Sequence, residues 1–230
     1  MTALAQRLAA TRSEIADAAA AAGRSADDLT LIVVTKFHPA SLVRELYDLG
    51  VRNVGENRHQ EASLKAEECA DLDELTWHFI GQLQSNKARA ARKYARVVHS
   101  LDRESLLASL ERAGLEDPTL PMLDVFVQVN LTDDPGRGGI EPDNVAPFAE
   151  LVAAASTLNL VGVMSVAPLN EDPARAFERV QRASEQVRSV VPGASSISAG
   201  MSHDFVEAIA AGATHLRIGS KITGERPMHG

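Results

Sequence analysis

Eight short apolar, β-branched runs recur along the chain, each followed by a stretch of helical spacing, and this alternation restricts the fold more than any other feature. The runs occupy residues 29–34, 51–54, 77–80, 97–98, 123–129, 160–163, 196–198 and 215–218. Helix signals fill the gaps. Pro39-Ala40-Ser41 opens a segment whose Leu42, Leu46 and Leu49 share a face, and Gly50 closes it. Asp102 stands where it would cap a helix over 103–112, closed by Gly114. Pro142 leads into 145–158, and Pro173 opens 174–190. Ser202 is placed to cap a short helix over 203–211, which Gly212 stops. A further helix precedes the first strand, with Leu4, Leu8 and Ile15 on one face and Gly23 as its stop.

Two architectures accommodate strands that alternate with helices: an open doubly wound sheet and a closed parallel barrel. The open sheet usually carries a glycine-rich phosphate loop after its first strand. Here that strand ends in Thr35-Lys36-Phe37-His38-Pro39, without a glycine. With eight strand–helix units in 230 residues, the expectation is an α/β fold of the (β/α)8, TIM-type barrel class. No low-complexity linker or internal repeat divides the chain. It reads as a single domain over 1–230, a helix over 1–23 followed by a barrel over 29–226.

A net charge of −8 argues against nucleic acid as the main partner. The basic stretch 87–96 has the spacing of a solvated helix face. A single cysteine, Cys69, excludes a disulfide framework. It sits in a helical stretch as a packed or half-exposed thiol. The seven histidines show no metal-ligand spacing, so no metal is expected. Glu14 and Asp17 interrupt the N-terminal segment, which lacks the continuous apolar core of a signal peptide. No run is long enough to cross a bilayer. A soluble cytoplasmic protein with no membrane partner is expected.

In barrels of this class chemistry collects where the strands end. Lys36 follows the first strand, Glu56 and Asn57 the second, residues 82–86 the third and Asn130 the fifth. Ser165 follows the sixth, Ser202 the seventh and Gly219-Ser220 the eighth. A lysine alone at such a place equally marks the exit of a strand into solvent. A desolvated lysine, by contrast, has a lowered pKa and a neutral amine that attacks an aldehyde. The two glycine-containing turns 199–202 and 217–220 shift the balance, because barrels frequently bind phosphate with the loops after strands seven and eight. Arg217 stands inside an apolar run, where a period of two points it into the barrel mouth with His215. Buried there it needs an acceptor, either an acidic strand residue or a ring nitrogen of a bound cofactor. His78 reads as a hydrogen-bonded barrel-core residue, and Glu56 with Lys87 as a structural ion pair at the mouth. From the residues alone, a phosphate-binding barrel enzyme acting on a phosphosugar, with Lys36 as its Schiff-base or electrostatic residue, also stays open.

Several segments together resemble the pyridoxal-phosphate homeostasis proteins, single-domain relatives of the alanine racemase N-terminal barrel. They are VVTK at 33–36, NVGENRHQEA at 53–62, WHFIGQLQSNK at 77–87, VNLTDDPGRGGI at 129–140, GVMSVAP at 162–168, ISAGMSHDFVEAI at 197–209 and RIGSKITGER at 217–226. The resemblance covers residues 31–226. It implies that Lys36 holds pyridoxal 5′-phosphate as a Schiff base and that Ser202, Gly219 and Ser220 hold its phosphate. It also implies that Arg217 meets the pyridine nitrogen, with Met201 and Asn57 lining the ring's site. Arg137 stands where the family often has lysine, and Lys221 and Thr223 replace commoner small and aromatic residues.

The function so implied is intracellular cofactor homeostasis: binding and buffering pyridoxal 5′-phosphate and delivering it to dependent apo-enzymes, without robust catalysis and without catalytic residues. A racemase using the same cofactor is the alternative. An arginine facing the pyridine nitrogen leaves that nitrogen unprotonated, which weakens the ring as an electron sink. The racemases draw a second base from an additional C-terminal domain across a dimer interface. This chain ends at Gly230, so that domain, and with it the dimer, is not expected; a monomer is.

Overall fold

The computed structural model describes residues 2–132 and 134–225, and in it eight parallel strands close into a barrel in strict chain order. They are β1 (Thr30–Val34), β2 (Asn53–Glu56), β3 (Thr76–Phe79), β4 (Ala95–Leu101), β5 (Leu123–Gln128), β6 (Leu158–Met164), β7 (Ser196–Ser198) and β8 (His215–Ile218). Closure comes from β1 pairing with β8, with Ile32 opposite Arg217. The run expected at 97–98 is only the centre of the seven-residue β4. His99 and Ser100, which hide the strand in the sequence, are fully buried polar residues.

Nine helices surround or flank the barrel among the described residues: α1 (Ala3–Ala21), α2 (Ala40–Asp48), α3 (His59–Glu68), α4 (Ala88–Ala91), α5 (Glu104–Glu116), α6 (Val145–Ala153), α7 (Pro173–Val190), α8 (Phe205–Ala210) and α9 (Ser220–Thr223). Several boundaries differ from expectation for local reasons. Gly114 lies inside α5 rather than after it; an added Cβ there would meet Thr157 and the Arg92 guanidinium, so this glycine serves close packing and not a helix stop. Asp102 pairs with Arg103 and leaves the N-cap position to that residue. Helix α6 stops at Ala153, since Leu158 already belongs to β6. Ser202 does not cap α8. The helix begins at Phe205, and the Asp204 carboxylate turns back to accept the Met201 N–H at 2.5 Å.

The main core lies between the sheet and the helices. Val33, Val54, Phe79 and Val125 meet Val43, Leu46, Leu106 and Phe177 there. A smaller apolar group, Val97, Phe126 and Met164, forms a separate cluster. Arg92 departs from the solvated face expected for its segment. It is buried, and its guanidinium donates to the carbonyls of Leu110, Pro121 and Thr157. Cys69 is buried just past α3, its thiol 3.9 Å from the Ala40 carbonyl. No helix among the described residues is long and apolar enough to cross a membrane.

Helix α1 packs on α8 and α9. Thr2 starts it by accepting the Ala5 N–H. Arg7, one turn in, donates to the carbonyls of Ile222 at 2.7 Å and Thr223 at 3.3 Å. The N-terminal helix thereby holds the last carbonyls of α9, the helix that starts at Ser220.

Candidate functional site

Lys36, Asn57, Met201, Ser202, Arg217, Gly219 and Ser220 all line one cavity of about 430 Å³ at the C-terminal ends of the strands. The period of two explains how β1 and β8 deliver their residues. Ile32 stands beside the inward Arg217, so Val34 and then Lys36 continue on the same side. Thr35 points the other way, toward the helix layer. Lys36 is half-buried, and the next residue, Phe37, has a left-handed backbone at φ 68°. For an aromatic residue that conformation needs support. The Phe37 N–H donates to Glu61 at 2.5 Å, and the Arg58 guanidinium lies 5.1 Å over the Phe37 ring.

Behind this turn is a buried polar cluster. The Lys65 ammonium donates to the Thr35 carbonyl at 2.8 Å and to Glu56 Oε1 and Glu61 Oε1, each at 2.7 Å. The Thr35 hydroxyl donates to the same Glu56 oxygen at 2.6 Å. Burial pushes the Glu56 carboxyl above its usual pKa, against the pull of Lys65 and Thr35. Glu56 is thus paired with Lys65, not with Lys87. Asn53 and Gly55 occupy the inward positions of β2, so Glu56 faces outward to α3, where Lys65 is carried.

Arg217 is buried, and its two acceptors are the Ser198 hydroxyl at 2.6 Å and the Ser165 carbonyl at 2.8 Å. No acidic strand residue pairs with it among the described residues. Burial lowers its pKa to about 10, which leaves it charged at neutral pH. The turn after β7 requires glycine at 200. Its φ is 91°, and a Cβ there would lie 2.8 Å from the Ala208 Cβ and 3.0 Å from the Phe205 Cα. That close approach tucks α8 under the turn and presents Met201 and Ser202 to the cavity. Opposite them, Gly219 and Ser220 lead into α9, whose first N–H groups have no intrahelical acceptor. Ser220 and His203 are exposed at the rim.

Phe37, His38, Ile80, Val166 and His203 also line the cavity and were not singled out in the sequence. Each follows a strand by only a few residues, which is the one signal that pointed to them. Of the segment 77–87, Ile80 alone faces this cavity. Gln82, Gln84 and Lys87 line a neighbouring cavity of about 450 Å³ that meets the first at Asn57. His78 is a core residue, hydrogen-bonded at 2.9 Å to both His99 and Asn53. Burial lowers its pKa to about 3. Among the described residues no group of three or more His, Cys, Asp or Glu could hold a metal ion.

A lysine leaving β1 and an arginine on β8 face the same mouth of a parallel eight-stranded barrel, and residues 7–227 match the family model described as alanine racemase, N-terminal domain, which makes this an alanine-racemase-type barrel. Within that class the chain belongs to the pyridoxal phosphate homeostasis protein family. It is 40% identical to the pyridoxal phosphate homeostasis protein of Mycobacterium tuberculosis, over 98% of this chain and 93% of that one. The protein of the same name from Escherichia coli is 36% identical, with 98% of each chain covered. Among solved structures, PipY of Synechococcus elongatus with PLP bound superposes with a TM-score of 0.83 at 33% identity, covering 96% of this chain and all of that one.

Proposed function

We propose that this chain binds pyridoxal 5′-phosphate at Lys36 and serves its homeostasis, holding the cofactor and passing it to dependent apo-enzymes rather than running a reaction of its own. The observation that carries this is the convergence of Lys36, Arg217, Ser202 and Gly219-Ser220 on one cavity. The cavity fits the cofactor on its own terms. Asn57 Oδ1 is buried and has no hydrogen-bond partner among the described residues, an acceptor that awaits a donor. Hydroxyl and backbone donors at Ser202, Gly219 and Ser220 suit a phosphate, and a half-buried amine suits an aldehyde.

When bound, the cofactor supplies an aldehyde and a pyridine ring able to withdraw electrons. The chain's residues have separate tasks. Lys36 offers the amine. Ser202 and Ser220 would hold the phosphate end, and Met201 with Asn57 would flank the ring. Arg217, which lines the cavity, would offer a guanidinium N–H to the ring nitrogen and donate without giving up its proton, which would leave that nitrogen unprotonated and disfavour carbanion chemistry. The rim formed by Ser220 and His203 is exposed, which favours exchange of cofactor over exclusion of water. We propose that recipient apo-enzymes take up the cofactor through this open mouth.

The purified protein is expected to turn yellow with added cofactor and to retain it covalently on Lys36 after borohydride reduction; Lys36→Ala is expected to do neither. Bound cofactor is expected to move to an apo-enzyme in a stopped transfer assay. A colourless protein that ignores the cofactor would return the phosphosugar reading. Steady racemisation of alanine or another amino acid at ordinary enzyme rates would replace the carrier with a racemase.

A further inference from the structure

Five polar side chains from five strands form one hydrogen-bonded row inside the barrel. Asn53 Oδ1 on β2 lies 2.9 Å from His78 Nε2 on β3. His78 Nδ1 lies 2.9 Å from His99 Nε2 on β4. His99 Nδ1 lies 2.8 Å from Ser198 Oγ on β7, which in turn takes the 2.6 Å bond from Arg217 on β8. Arg217 faces the cofactor cavity, and Asn53 lines a cleft with Leu29, Thr30 and Gly50. The row therefore links the mouth to the strand starts at the other end of the barrel.

The direction of every hydrogen in this row follows from its head. Arginine only donates, so Ser198 Oγ accepts from it. Serine has one proton, and the only other partner of that hydroxyl among the described residues is His99 Nδ1. The proton goes there. His99 Nδ1 is then bare, and a neutral imidazole carries its proton on Nε2, which donates to His78 Nδ1. The same step puts the His78 proton on Nε2, where Asn53 Oδ1 accepts it. The opposite direction would leave the Ser198 hydroxyl proton without an acceptor in a dry interior.

We infer that His78, His99 and Ser198 are positioning residues for the cofactor: the one-way row fixes which guanidinium N–H groups of Arg217 are committed to the core and which are left for the cavity. The inference rests on the reading that Arg217 meets the ring nitrogen. It also assigns the row a clamp's task and not a relay's. At one end stands a group that only donates, and at the other an amide oxygen that does not take up a proton. Both histidines must stay neutral for this, and their surroundings keep them so. Phe126 stacks on His99 at 4.5 Å, and the charged or titratable groups near the pair are Arg217 and His215. Both of those, like burial itself, disfavour a second positive charge.

Nitrogen NMR on cofactor-free protein labelled at histidine tests the row directly. Two imidazoles, assigned through His78→Gln and His99→Gln, are expected as neutral Nε2–H tautomers, unchanged between about pH 5 and pH 8. A His99 protonated on Nδ1, or titrating near its ordinary pKa, overturns the proposal. A second arm reads the cofactor. Ser198→Ala is expected to shift the absorbance band of the bound cofactor and weaken its binding about tenfold, the scale of one lost charged hydrogen bond, with Ser198→Thr restoring both. If Arg217→Leu changes the band and affinity while Ser198→Ala changes neither, the proposal is wrong. If Arg217→Leu also changes neither, the placement of Arg217 at the ring nitrogen fails and takes the proposal with it, while the NMR pattern stands as a feature of the fold.

Discussion

The Lys65 ammonium lies 2.7 Å from Glu56 Oε1 and 2.8 Å from the Thr35 carbonyl, so a buried ion pair stands directly behind the turn that carries Lys36. Breaking such a pair from one side costs about 3–5 kcal/mol, because the remaining charge is left without compensation. Lys65→Met is expected near the lower end of that range, since burial already favours the neutral Glu56 carboxyl. Glu56→Gln keeps an acceptor for Lys65 and Thr35 and is expected to cost less. Urea unfolding of the two variants checks the order. A Lys65→Met protein as stable as the parent would mean that the pair contributes nothing to the fold.

The buried histidines set an acid limit on stability. His78 and His215 are held neutral, with pKa values lowered to about 3 and about 4, and His99 is held well below its ordinary value, in each case chiefly by burial. A folded pKa below the unfolded value of 6.5 means stability that is present above that pH and lost as pH falls toward the folded value. Between pH 7 and pH 5, His78 and His215 are each expected to cost about 2 kcal/mol, and His99 adds to the loss in the same direction. Glu56 acts in the opposite sense: its raised pKa favours the fold at low pH and that contribution fades as pH rises, so it offsets part of the loss. Urea midpoints at the two pH values measure the balance. A midpoint that does not fall would show that the histidines are not kept neutral in the folded state.

These two buried groups also mark where the sequence stops being legible. The barrel could be read because alternation and strand-end chemistry leave local traces, and the seven expected site residues do share one cavity. Lys65 left a misleading trace. With Glu61 four residues earlier it looks like any exposed helix pair, and only the packing of α3 on β2 buries it. His99 and Ser198 sit on β4 and β7, strands that do not pair and share no motif; 99 positions separate them along the chain. Ser202 illustrates the converse. Its spacing suits an N-cap, but the short side chain of Asp204, nearer the helix, binds the Met201 N–H and fixes the turn, leaving Ser202 to the cavity.

Arg7 is expected to matter for cofactor binding although it does not itself line the cavity; it holds Thr223, which does. Its two bonds to the Ile222 and Thr223 carbonyls satisfy the end of α9 and hold the helix that begins at Ser220. Arg7→Ala removes charged donors from carbonyls that are partly buried, at about 1–3 kcal/mol. The cofactor affinity is expected to fall several-fold as α9 loosens. Glu14→Ala, which breaks the 2.9 Å pair with Lys221, should change little, because exposed pairs contribute about 0–1 kcal/mol. Equal effects of the two substitutions in a cofactor titration would remove Arg7 from its role as a latch.

Gly81 is constrained by space and not by backbone conformation. A Cβ at this position would lie 2.2 Å from the Asn57 carbonyl oxygen and within 2.9 Å of two further Asn57 backbone atoms. Backbone atoms do not rotate out of the way, so Gly81→Ala must push apart the loops after β2 and β3. Overpacking of this kind costs about 1–3 kcal/mol. The displacement would fall on Asn57, which lines the cofactor cavity and its neighbour and carries the buried amide oxygen that has no partner among the described residues. The expected result is a lower urea midpoint together with weaker cofactor binding. Gly193→Ala supplies the control, because nothing lies within 4 Å of its added Cβ. If the two alanine variants behave alike in both measurements, the close approach of residue 81 to Asn57 does not shape the site.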